Sequence, residues 1–461
     1  MKLFKIECRK TMFSFVYLLF LLLISFNWYN NFAGVTSDEI KKTEKNKTAT
    51  EEFFKLDRPL LKEPSENDDF FGTKFVENPH KIMRGATDKL LSEYKENLYA
   101  VYPFGYYKAI SLNEREQKRV LEILCEITGL TEKQLLNLPE GYFPSVNGTI
   151  IHIPEGEEKK MENTDMKISI SDDDLKTEDA TNEQVFIPQV SYEIFKERMS
   201  ELEKMLGRGS NYSMEILISY YGMEEMSYEE AVKEFQTTIN DDRVSGGFAR
   251  LFCDSMSSAM GLLPVFLIVF LWMYDLKAKS SSLIYVKKLS SKKIIFTRFL
   301  SVLILVLIPN FLLSLESLIP LSKFALRNGY DINYFAYTKY IIFWLLPTIM
   351  IVLALGTFLT VITDSPIAIL IQLIWWFVDR GMTGLSGDTD LYTLMLRHNT
   401  LRGSEIINAQ SGMILTNRLL YMALSFIFLE ITVIVFEKKR RGKFDFWRHY
   451  TEYYNAIKRK L

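Results

Sequence analysis

The chain has 461 residues, a formal net charge of −2 and 48 % apolar residues, with mean hydropathy close to zero. These averages hide a sharp segregation of very apolar runs from one long polar stretch, which excludes an ordinary soluble domain. A run must reach about 20 residues to cross ~30 Å of hydrocarbon, and several do, so the sequence reads as an integral membrane protein in contact with the lipid bilayer; no nucleic-acid partner is expected.

The first ten residues, MKLFKIECRK, are basic, and residues 11–29 form an apolar run ending in Trp28 and Tyr29. That run is long for a signal peptide and no small-x-small cleavage site follows it, so it reads as an uncleaved first transmembrane helix with its aromatic pair at the outer interface. Residues 30–254 are polar and form one expected external domain, mainly helical with some strand. Within it, Val120, Leu121, Ile123, Leu124 and Ile127 mark a helical face stopped by Gly129. Phe195, Met199, Leu202 and Leu206 mark another, stopped by Gly207. Ser227 and Glu230 have capping-box spacing. SVNGTIIHIP reads as a turn and short strand, and residues 154–184, acidic and almost free of aromatics, as a flexible loop.

The apolar runs return within 255–436. Helices are expected at Met256–Tyr274, Phe296–Leu318, Tyr340–Ile362, Pro366–Val378 and Arg418–Phe436. The fourth of these is short, with Asp364 and Asp379 marking its ends. Pro264, Pro309 and Pro347 predict kinks, because each removes a backbone donor. The LYTLML piece between Gly381 and Asn417 reads as either re-entrant or superficial. A basic, aromatic tail occupies 437–461. The expected fold class is therefore an α-helical polytopic membrane protein: six transmembrane helices plus a mainly helical α+β extracellular domain between helices 1 and 2.

Lysine and arginine set the orientation. With the N-terminus inside, the inner segments hold Lys2, Lys5, Arg9, Lys10, Lys277, Lys279, Lys287, Lys288, Lys292, Lys293 and Arg298, plus nine more from Lys438 onward. The outer loops hold Lys323, Arg327, Lys339, Arg380, Arg397, Arg402 and Arg418. This bias predicts a multi-pass plasma-membrane protein with both termini cytoplasmic.

Catalytic signatures are missing. There is no phosphate loop, no GxSxG elbow and no HExxH helix, so no enzyme activity, catalytic residue, cofactor or metal is expected. His80, His152, His398 and His449 lack metal-ligand spacing. A Cys125–Cys253 disulfide requires both residues to lie outside; free thiols at these and at Cys8 are the simpler reading. Glu430, inside the last apolar run, is an intramembrane candidate by default. The plainer alternative is that it faces a neighbouring helix or reaches water at the inner surface.

The segment SSSLIYVKKLSSKKIIFTRFL joins two spans on the inner side. Anionic lipid explains its lysines but not the interleaved Leu283, Ile284, Val286, Leu289, Ile294 and Ile295, which suit a groove on a cytoplasmic protein. Leu283, Lys288, Ser290, Ser291, Lys293 and Arg298 fall in the order found in the inner loop of ABC-2 type permeases, the membrane subunits of ATP-binding-cassette exporters. The passage DDRVSGGFARLFCDSMSSAMGLLPVF (Asp241 to Phe266) is also similar to Firmicutes-like permeases with a large external domain after the first helix.

The resemblance implies a coupling loop at 275–298. Its ATPase contacts would be Leu283, Lys287, Lys288, Ser290, Ser291, Lys292, Lys293 and Arg298. It further implies ATP bound by a separate cytoplasmic ATPase, a second permease copy or a homologous permease as partner, and export of an amphiphilic peptide, antibiotic or lipid. A non-transporting envelope or sensory protein with a large external domain is the alternative; it has no need of such a loop.

Overall fold

The structure, a computed structural model, describes residues 2–44, 58–102, 107–138, 142–143, 186–207, 209–278, 288–382 and 389–444. The expected strand at SVNGTIIHIP, the acidic loop 154–184 and residues 445–461 of the tail lie outside these. The chain divides into two compact units, Phe71–Met226 and the remainder, Met1–Phe70 with Ser227–Leu461.

In the smaller unit, α4 (Pro79–Glu96), α5 (Glu114–Thr128), α6 (Glu132–Leu136), α7 (Tyr192–Leu206) and α8 (Met214–Tyr221) surround an apolar core. Two short antiparallel ladders accompany them. β1 (Thr73–Phe75) pairs with β4 (Met223–Glu225), and β2 (Tyr99–Val101) pairs with β3 (Lys108–Ile110). The helical faces fall where periodicity predicts them: Val120, Ile123, Leu124 and Ile127 are buried on α5, and Phe195, Met199, Leu202 and Leu206 on α7. Asn113 and Glu116 close a capping box at the start of α5, and Gly129 ends it in the left-handed region. Gly85 allows α4 to lie against the Tyr221 ring, which a Cβ would strike at 2.2 Å.

The larger unit opens with α1 (Lys2–Met12), α2 (Phe15–Asn31) and α3 (Val35–Glu44). It resumes with α9 (Tyr228–Gln236), a π turn (Thr237–Asp241), α10 (Ser245–Leu262) and α11 (Pro264–Lys277). Then come α12 (Ser291–Asn328), α13 (Ala336–Tyr340), a π turn (Ile341–Leu345), α14 (Leu346–Thr363), α15 (Ile367–Met382), α16 (Ser404–Ala409) and α17 (Ser411–Arg440). Among the described residues, five stretches are long and apolar enough to cross a membrane: Phe15–Thr43, Ser245–Lys277, Ser291–Asn328, Ala336–Thr363 and Ser411–Arg440. The chain is thus a helical membrane protein of the multi-pass kind.

Several boundaries differ from expectation. The first span, expected from residue 11, begins at Phe15, capped by Ser14, and the basic N-terminal residues before it form a helix of their own, α1. The stretch 30–254 is not one domain. Residues 58–70 and 227–254 pack with the apolar helices, tied by Arg58 and Arg402 to Glu234 at 3.0 and 2.5 Å and by the Glu39 carboxylate to the Leu60 amide. Ser227 and Glu230 do form a capping box, on α9. Pro264 and Pro347 stand in the first turns of new helices, whereas Pro309 and Pro320 sit inside an unbroken α12.

Cross-helix bonds fix the directions of the spans. At one end, called basal here, Lys10 meets Asp275 at 2.5 Å, Ser291 meets Glu437, and Lys439 meets Asp364 at 2.6 Å. Toward the other end Asn27 donates to the Ser255 carbonyl, Trp344 to Ser257, and Arg418 to Thr348. α14 and α17 therefore run parallel. The intervening α15 runs back along α10, with Gln372 bonded to the Gly261 carbonyl and Trp376 to that of Ser258.

Candidate functional site

The basic segment between α11 and α12 is the strongest candidate from sequence, and its described residues serve three different purposes. Ser290 is the N-cap of α12, its hydroxyl accepting the Lys293 amide at 3.2 Å. Ser291 is buried and donates to the Glu437 carboxylate, while Arg440 donates to the Leu289 carbonyl at 2.9 Å. These serines hold α12 and join it to α17. Lys288, Lys292 and Lys293 are exposed. Leu283 and Lys287 lie outside the described residues. The expected loop 275–298 is shorter than the sequence suggests, because α11 runs to Lys277 and α12 starts at Ser291.

Arg298 requires correction as a surface contact. It is 2 % exposed, two turns into α12, and its guanidinium donates to Glu7 of α1 at 3.3 Å and to Asp275 of α11. It also stacks over Trp272, 4.3 Å from the ring centroid. Lys10 adds a second cation on Asp275 and lies 5.2 Å from the Tyr274 ring centroid. Two carboxylates and two cations thus bind three helices at the basal end, an arrangement in which each charge has an opposite partner. A docking contact in sequence is, in the folded chain, an internal tie.

Glu430 pairs with Lys292 across α17 and α12 at 2.5 Å. It therefore faces a neighbouring helix. A charge at the centre of a span costs about 2.5–3.5 kcal/mol on insertion scales, and the pair offsets part of that cost.

Away from the basal end, residues 389–403 form an irregular segment whose centre is deeply buried: Leu394, Met395 and Leu396 are at most 1 % exposed. LYTLML is not superficial. Non-helical backbone at such depth needs internal partners for its polar groups, and charged side chains supply them. The Asp379 carboxylate accepts the amides of Leu394 and Met395 at 2.6 and 3.0 Å. Asp254 accepts those of His398 and Asn399 at 3.2 and 3.1 Å and pairs with Arg397 at 3.1 Å. Arg418 donates to the Thr393 and Trp344 carbonyls at 3.0 and 3.1 Å, and the Asn417 amide reaches the Asp390, Leu391 and Thr393 carbonyls. His398, fully buried, bonds through Nε2 to the Arg402 carbonyl at 2.7 Å, and burial pushes its pKa down to about 4.

Sequence reasoning used Asp379 only as a helix end and Arg418 only as an outer charge. Their signal was there: charges abutting apolar runs on both sides of one irregular piece. Cys8, Cys125 and Cys253 are all free thiols. No protein-family model, no curated protein and no solved structure matches this chain.

Proposed function

We propose that the chain is the membrane subunit of an ATP-driven exporter of the ABC-2 kind, moving an amphiphilic substrate and worked by a separate cytoplasmic ATPase. The observation that carries this reading is the construction of the basal end. Exposed Lys288 and Lys293 flank the capped start of α12, next to a buried charge cluster that ties α1, α11 and α12 together. A push on the segment joining α11 and α12 then moves three helices as one body rather than bending a loop.

In this reading α15 is a sixth crossing. Sixteen residues span about 24 Å, and its return between the parallel α14 and α17 supports that role. Both termini then share the basal, cytoplasmic side, and the unit Phe71–Met226 is extracellular.

The test is purification of the tagged full-length chain from its native membrane, with assay for bound ATPase. Lys288→Glu with Lys293→Glu is expected to lower ATPase recovery about tenfold or more, as like-charge contacts do, at unchanged membrane level. Wild-type chain that retains no ATPase sinks the proposal in favour of a non-transporting envelope protein. Single cysteines at Ser365 and Thr389 test the sixth crossing: an impermeant thiol reagent is expected to label them from opposite sides.

A further inference from the structure

The basal body of α1, α11 and the basal half of α12 joins the rest of its unit along the chain at three points, and the helical ladder is interrupted at each. Phe13 and Ser14 separate α1 from α2. Leu263 separates α10 from α11, and Pro264, lacking an N–H, takes the usual helical donor from the Met260 carbonyl. Pro309 does the same to the Leu305 carbonyl inside α12. Asn310, fully buried, donates to Met260 Sδ at 3.4 Å, so the two prolines stand at one depth on neighbouring helices.

Side chains from helices outside the body fill these gaps. The Tyr17 hydroxyl of α2 donates to the Leu305 carbonyl at 3.1 Å, and the Gln372 amide of α15 donates to the Gly261 carbonyl at 2.7 Å. A backbone donor fixes the angle between successive turns, whereas a side chain follows its acceptor as the angle changes. Gly356 lets the first turn of α11 lie close against α14, where a Cβ would meet Ile268 Cγ2 at 2.8 Å. α15 and α17 contain no proline, and α14 has none beyond its first turn. These helices are therefore the rods against which a bend at Pro264 and Pro309 is made.

At the basal end the body is held to one of those rods. Ser291 donates to the Glu437 carboxylate of α17, and Arg440 donates to the Leu289 carbonyl and Ser291 Oγ at 2.9 and 3.2 Å. We propose that Pro264 and Pro309 form one hinge and that Glu437 and Arg440 are its latch, so that α1, α11 and the basal half of α12 swing from α17 as a unit when the latch opens. The inference rests on these three helices moving as one body and needs no ATPase.

Spin-label distances in the purified full-length chain in nanodiscs, with no ATPase present, test it. In a background of Cys8→Ser, Cys125→Ser and Cys253→Ala, labels at Lys277→Cys and Ile434→Cys read from the body to α17. The lever from Pro264 to Lys277 is about 20 Å long, so a bend of about 20° moves its end by about 7 Å. Glu437→Ala is expected to raise the population at the longer distance at least about fivefold. Arg440→Gln opens the same contact from the cationic side and is expected to act alike. Adding Pro264→Ala and Pro309→Ala, which restore the missing donors, is expected to return that population to the wild-type level. A distribution unmoved by both latch variants overturns the latch, and a long population that persists with both prolines replaced overturns the hinge.

A second pair, Leu312→Cys with Met413→Cys, lies on the far side of the prolines and is expected to keep one distance in every variant. A shift there means that the whole bundle loosens, and it overturns the proposal. Absence of a bound ATPase leaves all these distances unaffected, so a failed exporter reading is distinguishable from a failed hinge.

Discussion

Removing the Arg298 guanidinium is the sharpest test of the basal cluster. Arg298→Met keeps the aliphatic stem but leaves Glu7, 4 % exposed, and Asp275, 5 % exposed, with Lys10 as the remaining cation among the described residues. Breaking a buried pair from one side costs about 3–5 kcal/mol, because the surviving charge stays desolvated. At about 1.4 kcal/mol per tenfold, the open population rises by roughly two to three and a half orders of magnitude. Loss of stacking on Trp272 contributes in the same direction.

The compensated variant, Arg298→Met with Glu7→Gln and Asp275→Asn, removes the stranded charges and is expected to recover most of the loss. Lys10 in that variant still reaches water, its side chain being 28 % exposed. Thermal unfolding in nanodiscs gives the ordering, and trypsin cleavage after Arg9 and Lys10 reports release of α1. A single variant no less stable than the triple variant, or a loss under about 1 kcal/mol, refutes the argument.

Two other outcomes are expected. Asp379→Ala strands the buried amides of Leu394 and Met395 and, at about 1–3 kcal/mol for each unsatisfied group, lowers stability by about 2–6 kcal/mol; Asp379→Asn retains one acceptor and loses less, with faster amide exchange at both residues the direct readout. His398, pushed down to about 4 by burial and the nearby Arg250 charge, stays neutral in the folded chain while the unfolded chain binds a proton near pH 6.5. Its stabilisation is therefore present above about pH 6.5 and lost as pH falls toward 4, amounting to about 3 kcal/mol; His398→Gln should flatten that part of a pH–stability profile.

What the sequence discloses about this fold follows the range of the interactions. Helical faces such as Phe195 to Leu206, stops such as Gly129 and the Ser227–Glu230 cap depend on neighbours a few residues away, and a short pattern suffices to read them. The long apolar runs were equally plain. Arg298 was misread because its partners, Glu7 and Asp275, lie 291 and 23 residues away; on a linear chain a buried tie and a docking lysine or arginine look alike. The same holds for the clamp on residues 389–403. Its carboxylates come from α10 and α15 and its guanidinium from α17, so no local spacing announces it. α15 was visible as a short apolar run between two aspartates, but its direction came only from Gln372 and Trp376 against α10.

The Glu7–Arg298 bond also has a meaning in time. During synthesis at about 5–20 residues per second, the 291 residues between the two side chains take roughly 15–60 s to emerge. Glu7 waits through that interval without its guanidinium, and Ser291 then waits for Glu437 near the end of the chain. The basal end is thus the last part of the bundle to lock. Until then α1 has Lys10 on Asp275 but not Arg298 on Glu7, and a chain truncated before α12 keeps the first tie without the second.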